Sequence, residues 1–228
     1  VFTGYAQTPF PCDNTMYVSR GITLYKYTGN SFVSVFDVGN VNALAFSLDG
    51  LLWAYDQSSK EIVTFDAFET RTVVPLPAGL PTPTDAPYNV GTIDANGYYY
   101  IYHGGASSSS GPAVRFYVID TNPSRPTYGQ LVDPTGGSVP YPVDTRTTVG
   151  TVIGPGNSNR RDISDWAINP LDGKLYAFTN AGSFAPFHLV SYDPVSGTIS
   201  DHGEVMGGGI QGGSTVGFGA IFIDALGG

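Results

Sequence analysis

One segment shape recurs four times along the chain and limits what it can fold into. Asn42-Ala-Leu-Ala-Phe46 runs into the turn Asp49-Gly50, Asn89-Val-Gly-Thr-Ile93 into Asn96-Gly97, and Ser164-Asp-Trp-Ala-Ile168 into Asp172-Gly173. The fourth copy, Val216-Gly-Phe-Gly-Ala-Ile-Phe-Ile-Asp224, has the same apolar residues interleaved with small ones. Each of the first three copies is followed by further strand-like runs, whereas the fourth is followed by only a few residues. A lone strand cannot satisfy its own backbone N–H and C=O groups, so it must pair elsewhere in the chain. The strands it lacks are expected at the other end, at residues 14–38.

The spacing turns this pattern into an architecture. Phe46, Ile93, Ile168 and Ile221 stand 47, 75 and 53 residues apart, and 53 residues separate Ile221 from Phe46 counted through the two ends. The long interval contains two Pro/Gly/Ser/Thr-rich stretches, and without them every interval approaches one common repeat. Third runs end alike, in Thr64-Phe-Asp66, Val118-Ile-Asp120 and Ser191-Tyr-Asp193. Asp-Gly and Asn-Gly between alternating apolar runs are strong hairpin signals, because both residues tolerate the positive φ that tight hairpin turns need. Thirty Gly, 17 Pro, 15 Tyr and 13 Phe beside two Met suit short strands and tight turns better than helices. No apolar pattern of helical period runs for ten residues. The reading is an all-β chain, a β-propeller of four blades of four strands, closed by the C-terminal strand joining the N-terminal blade.

In chain order, residues 1–13, with Pro9 and Pro11, read as an extended arm on a single domain covering 1–228. Strands are expected at Thr15–Ser19, Ile22–Tyr27 and Phe32–Phe36, then at Ala43–Phe46, Leu51–Tyr55, Glu61–Phe65 and Thr70–Val74. The third unit is read as Val90–Ile93, Tyr98–Tyr102, Val114–Ile119 and Tyr128–Val132, and the fourth as Trp166–Ile168, Lys174–Phe178, His188–Tyr192 and Thr198–Ser200. Pro81–Pro87 is a linker by composition, Gly104–Pro112 a loop, and 134–161 a long surface insertion with one possible extra strand at Thr148–Ile153.

The net charge of −9 leaves no basic patch for phosphates, which makes nucleic acid and anionic membrane poor partners. No apolar run reaches membrane-spanning length. Only 13% of residues are charged, and the surface is expected to be rich in Ser, Thr, Asn, Gly and Tyr, as in extracellular proteins. The single cysteine, Cys12, excludes an internal disulfide and lies in a Pro-flanked arm with no obvious base.

The strings Asp13–Ser19, Tyr88–Asp94, Asp162–Ala167 and Val216–Ala220 resemble those of a family of extracellular propeller-like domains of unknown function, found in secreted and surface proteins of fungi and bacteria. The likeness covers most of residues 12–224. It implies a propeller-like fold and an extracellular location. It brings no catalytic residues.

The first strand of each blade lines a propeller's channel, so its start is placed to meet a ligand at the channel mouth. Asn42, Asn89 and Ser164 hold that position, with Asp165 one residue further on. Two carboxamides, a hydroxyl and a carboxylate suit a sugar or a hard cation such as calcium, with Asp165 as the charged metal ligand. The competing reading is that these groups satisfy neighbouring backbone around the channel. Alternation places Tyr98, Tyr100 and Tyr102 on one strand face, where aromatic surface can stack on sugars or simply pack between blades.

Catalytic signatures are few. His103, His188 and His202 lack metal-motif spacing, and neither a nucleophile elbow nor a phosphate loop occurs. Asp162, Asp165, Asp201 and Glu204 can form acidic pairs, and His202-Gly-Glu204 is the best enzymatic candidate. Two functions follow. One is a secreted, non-catalytic module binding glycans or cell-surface polymers. The alternative is a hydrolase or lyase acting on a polysaccharide or small ester or lactone, with a channel carboxylate and a bound cation. A protein-docking scaffold is a third reading.

Overall fold

The structure is a computed structural model that describes residues 7–11, 15–80, 88–103, 115–134, 162–180 and 188–204. Among the described residues, fourteen strands form four antiparallel sheets in chain order. The first sheet is β1 (Tyr17–Arg20), β2 (Thr23–Tyr27) and β3 (Phe32–Asp37). The second is β4 (Val41–Phe46), β5 (Leu52–Asp56), β6 (Glu61–Phe65) and β7 (Arg71–Val74). The third is β8 (Tyr88–Ile93), β9 (Tyr98–His103) and β10 (Arg115–Asp120). The fourth is β11 (Asp162–Ile168), β12 (Leu175–Asn180), β13 (His188–Asp193) and β14 (Thr198–Glu204). Every sheet is a simple up-and-down meander. Among the described residues no helix is long and apolar enough to cross a membrane.

The two-residue side-chain period makes each strand present one face to each neighbouring sheet. Three apolar cores result, each shared by consecutive sheets. Leu24 and Phe36 of the first sheet meet Leu52, Ala54, Val63 and Phe65 of the second. Trp53, Tyr55 and Ile62 meet Tyr88, Tyr99, Tyr117 and Ile119 of the third. Val90, Tyr100 and Val118 meet Trp166, Ala177, Val190 and Tyr192 of the fourth. First strands lie side by side, β4 against β8 and β8 against β11. The sheets are therefore stacked face to face in sequence order, as propeller blades are.

Several boundaries differ from the sequence reading for physical reasons. The fourth run of the third unit pairs with β10 through the isolated bridge Ile119↔Leu131 and through Val132 N–H donating to Val118 O at 2.9 Å, and forms no full strand among the described residues. The turn before it is long: Gly129 N–H donates to Asp120 O at 2.7 Å, and Asp120 N–H to Gln130 O at 3.0 Å. Residues 7–11 are extended, as Pro9 and Pro11 imply, but they are strapped to the second sheet. Phe10 is buried against Tyr17, Phe36 and Phe46, with ring centroids 5.4, 6.2 and 5.2 Å away. Gly50 admits the strap, since it sits at φ +75° and a Cβ there would stand 2.7 Å from Pro9 Cβ. Residues 134–161, including Thr148–Ile153, and the terminal run 216–224 are outside the described residues except for Pro134.

Candidate functional site

Alternating strand direction sorts the connections into two ends of the stack. In the second, third and fourth sheets, turns that follow the first and third strands emerge at one end, here the turn end; in the first sheet, where Tyr17 at the start of β1 lies beside Phe46, it is the β2–β3 turn that emerges there. In those three sheets the chain enters the first strand at the other end, the loop end, where it also crosses from second to third strands. Contacts between sheets keep the ends in common. Leu48 Cδ1 lies 3.4 Å from where a Cβ on Gly97 would be, and Tyr17 meets Phe46 at 5.3 Å. Tyr98 and Ile168 pack against one core.

At the turn end, one device repeats. Asp66 accepts the amides of Phe68 (2.9 Å) and Thr70 (2.8 Å), and its second oxygen accepts Thr8 N–H (3.0 Å). Asp94 accepts the amides of Asn96 and Tyr98, Asp120 that of Asn122, and Asp193 those of Val195 and Ser196. Asn169 accepts from Leu171. These are Asx turns, in which a side-chain oxygen replaces the backbone acceptor. The aspartates repeated at the ends of third strands are thus turn anchors. Burial alone would raise the Asp66 carboxyl, but the amides of Thr8, Thr70 and Phe68 outweigh it and hold it below the usual range. Asp193 is lowered in the same way by Val195 and Ser196. Asp120 is fully buried, accepts Thr127 Oγ1 at 2.5 Å and pairs with Arg125 at 3.3 Å.

The loop end is built on bulges. In β4 the register slips between Asn42 and Ala45, in β8 between Tyr88 and Val90, and in β11 between Ile163 and Trp166. All three slips fall beside the aligned positions Asn42, Asn89 and Ser164. A bulge bends its strand and re-aims the next side chains, which is why bulges gather at sites and rims. In β4 it puts Ala43 at φ +57°, an αL conformation that costs a non-glycine residue about 1–2 kcal/mol. The third sheet holds it there. Tyr99 Oη–H donates to Ala43 O, and Gly91 leaves room for that carbonyl, since a Cβ at Gly91 would collide with it and stand 2.7 Å from Tyr99 Cε2. Burial pushes the Tyr99 phenol far up, so it stays a donor at any ordinary pH. Beside the bulge, Asn42 faces Tyr55 across β5, and Gln57 Nε2 donates to Tyr88 O at 3.1 Å.

The structure therefore sets the backbones of Asn42 and Asn89 in neighbouring first strands and that of Ser164–Asp165 in the next. The Asn42 side chain is half-buried. Those of Asn89, Ser164, Asp165, Tyr102 and Glu204 lie outside the described residues. Among the described residues, no three His, Cys, Asp or Glu side chains are grouped to hold a metal ion. The open tyrosine face needs correction. Tyr100 is 2% exposed in the core between third and fourth sheets, its hydroxyl 3.4 Å from Asp94 Oδ2. Tyr98 is half-buried against the same core, under the Arg125 guanidinium at 4.8 Å. The third sheet is covered on both sides, so alternation along β9 chooses between two packed faces.

A polar group that spacing alone did not reveal stands at the loop end of the fourth sheet. His188 Nδ1 lies 3.0 and 2.9 Å from the two Asp201 oxygens, with both side chains mostly buried. The register shift between β13 and β14 brings them together. On the opposite face His202 Nε2 is 2.8 Å from Ser191 Oγ, and its ring stacks on Tyr176 at 5.6 Å. The hairpin Asp193–Gly197 was the available signal, since it fixes which residues of the two strands face each other.

No protein-family model and no curated protein sequence matches the chain. Among solved structures it is similar to the hydrazine synthase of Kuenenia stuttgartiensis, with a TM-score of 0.48, 15% identity, and coverage of 85% of this chain and 46% of that one. A gluconolactonase from Xanthomonas campestris gives 0.43, 13%, 85% and 73%, and YCF48 bound to D1 peptide gives 0.43, 11%, 88% and 57%. The chain spans about half the length of the first of these. With TM-scores below 0.5 and identities of 15% or lower, none of these likenesses assigns this chain a fold or an activity.

Proposed function

We propose that the protein is a non-catalytic binding module acting outside the cytoplasm, and that it takes a hydroxyl-rich ligand such as a glycan at the loop end. The observation that carries this reading is the gathering of three bulged first strands, at Asn42, Asn89 and Ser164–Asp165, on neighbouring backbones at one end of the stack. Carboxamide, hydroxyl and carboxylate groups there suit sugar hydroxyls, and Asp165 is the natural charged ligand for calcium. The acidic, Tyr/Ser/Thr/Asn-rich composition supports an extracellular setting, as does the resemblance to extracellular propeller-like domains. In this reading the run 216–224 adds the missing inner strand beside β1 and closes a four-bladed ring. Screening on a glycan array, followed by calorimetry with calcium or EDTA, tests it. Asn42→Ala and Asp165→Asn should each weaken the ligand found by about tenfold or more, a loss of about 1.4 kcal/mol. Unchanged binding in both variants would reject the site.

A hydrolytic reading has one observation in its favour, the His188–Asp201 pair at the same end. A carboxylate on Nδ1 fixes an imidazole's tautomer and orientation, as a general base requires. Turnover of lactone or aryl-ester substrates that disappears in His188→Gln would select it over simple binding.

A further inference from the structure

The chain carries a docked peptide of its own at the turn end. Residues 7–11 cross the second sheet in extended form, and each residue from Gln7 to Phe10 meets a different group. Gln7 Nε2 donates to Thr72 Oγ1 at 3.0 Å. Thr8 is held through its backbone: its N–H donates to Asp66 Oδ2 at 3.0 Å, and its carbonyl accepts Ala67 N–H at 2.8 Å. Pro9 lies over Gly50, the one residue type that leaves it room. Phe10 N–H donates to Gly50 O at 2.9 Å, and its ring fills a cleft between the first and second sheets, walled by Tyr17, Phe36 and Phe46. The walls are continuous, since Tyr17 meets Phe46 at 5.3 Å and Phe36 meets Phe65 at 5.9 Å.

Main-chain hydrogen bonds around one buried aromatic anchor are a general way for folded domains to hold extended peptides. The prolines fit that mode. The cleft uses only the amides of Thr8 and Phe10, so neither proline removes a needed donor, and each keeps the residue before it extended. The strap is also lightly held. Phe10 alone among its residues is buried, Pro9 and Pro11 are exposed, and Phe46 in the cleft wall is 37% exposed. Ordering five residues costs about as much as one buried ring and a few hydrogen bonds return, so this segment belongs to the low-stability end of the molecule. We propose that the cleft is a docking site for an extended Pro-aromatic-Pro segment of a partner polypeptide, and that residues 7–11 are the tethered competitor that closes it. The net charge of −9 disfavours a second copy as the supplier. An outside peptide binds the intact chain more weakly than it binds the cleft itself, by the fraction of molecules whose strap is lifted.

A labelled peptide with the sequence of residues 7–11, and the same peptide with Ser at its Phe position, test this by fluorescence anisotropy. A Phe10→Ser chain, whose strap has lost its anchor, should bind the Phe peptide about tenfold or more tightly than the parent chain does. The Ser peptide should bind neither. Added Phe peptide should raise the melting temperature of the Phe10→Ser chain and leave that of the parent in place, which ties binding to the vacated cleft. Gly50→Ala in the Phe10→Ser chain should remove the binding, because a Cβ there stands 2.7 Å from where the peptide's first proline must sit. No binding by the Phe10→Ser chain, equal binding by the parent, or equal binding of the Ser peptide would overturn the proposal. Amide exchange in the parent needs no variant: Thr8 and Phe10 should exchange faster than Val63 and Phe65 in the sheet beneath. Equal rates would mean that the strap leaves only when the whole protein unfolds, and would overturn the proposal as well. A concentration-dependent dimer of the parent that Phe10→Ser abolishes would reassign the cleft to strap exchange between copies.

Discussion

The two ends of the stack solve one problem differently. At the turn end the strands are closed by short connections, and an aspartate or asparagine supplies the acceptors that the turning backbone lacks. At the loop end first strands enter through bulges, and one of them stores a positive φ at Ala43 that only the neighbouring sheet sustains. Asx turns dominate the first end, though Asp56 closes the β5–β6 turn at the loop end in the same way, while contact between sheets holds the Ala43 bulge at the second. A surface built from local devices presents side chains in fixed positions whatever packs behind them. A surface built from bulges depends on its neighbours and can be re-aimed by them.

The contrast can be broken by substitution. The largest effect is expected from Gly91→Val, which drives a branched side chain into Ala43 O and the Tyr99 ring. Overpacking of this sort costs about 3 kcal/mol, and chemical denaturation should show it together with weaker ligand binding at the loop end. Full stability in this variant would mean that the β4–β8 approach is loose. Next comes Asp66→Ala at the turn end, which leaves the amides of Thr8, Phe68 and Thr70 without their acceptor. A loss of about 2 kcal/mol is expected, with faster proteolysis of the 7–11 strap and ligand binding unchanged. Tyr99→Phe sharpens the comparison further, since it removes only the hydrogen bond to the bulge. It should cost about 1 kcal/mol and weaken the loop-end ligand more than any turn-end variant of equal stability.

Acid titration is expected to act most gently, spread over several groups. The Asp56, Asp66 and Asp193 carboxyls are held below their ordinary range, despite burial, by amide hydrogen bonds and, for Asp56, by Arg71. Their folded-state values lie below the unfolded value of about 3.9, so the stability they confer is complete above that pH. It is lost as pH falls below it through the folded-state values. A melting temperature flat from neutral pH to about 5 and falling below about 4 is the expected profile. The fall should be smaller in Asp66→Ala, which has one such group fewer.

Much of the fold was legible in the chain. The strands of all four sheets, the tight turns at Asp49-Gly50, Asn96-Gly97 and Asp172-Gly173, and the order of the sheets follow from alternation and turn chemistry. The candidate positions Asn42, Asn89 and Ser164 were legible as a repeat. That a bulge stands beside each was not, because a register slip of one residue leaves no mark on the pattern of residue types. The docking of Phe10 escaped notice for another reason. Pro9 and Pro11 dictate an extended backbone but not what it lies against.

What the sequence determined by itself are the properties with a short physical range. Alternation over five or six residues sets the strands, and an Asx or Asp-Gly step sets a turn whatever surrounds it. Only the tertiary structure decided which side chains are covered and which are brought together. Tyr100 passes from an aromatic surface to a core residue because a fourth sheet lies over it. His188 meets Asp201 because a register shift between β13 and β14 aligns them. Phe68, Leu171 and Val195 share one end because two sheets, separated by a third, keep their strands running the same way. Each of these depends on how distant elements stack, and no local rule encodes that.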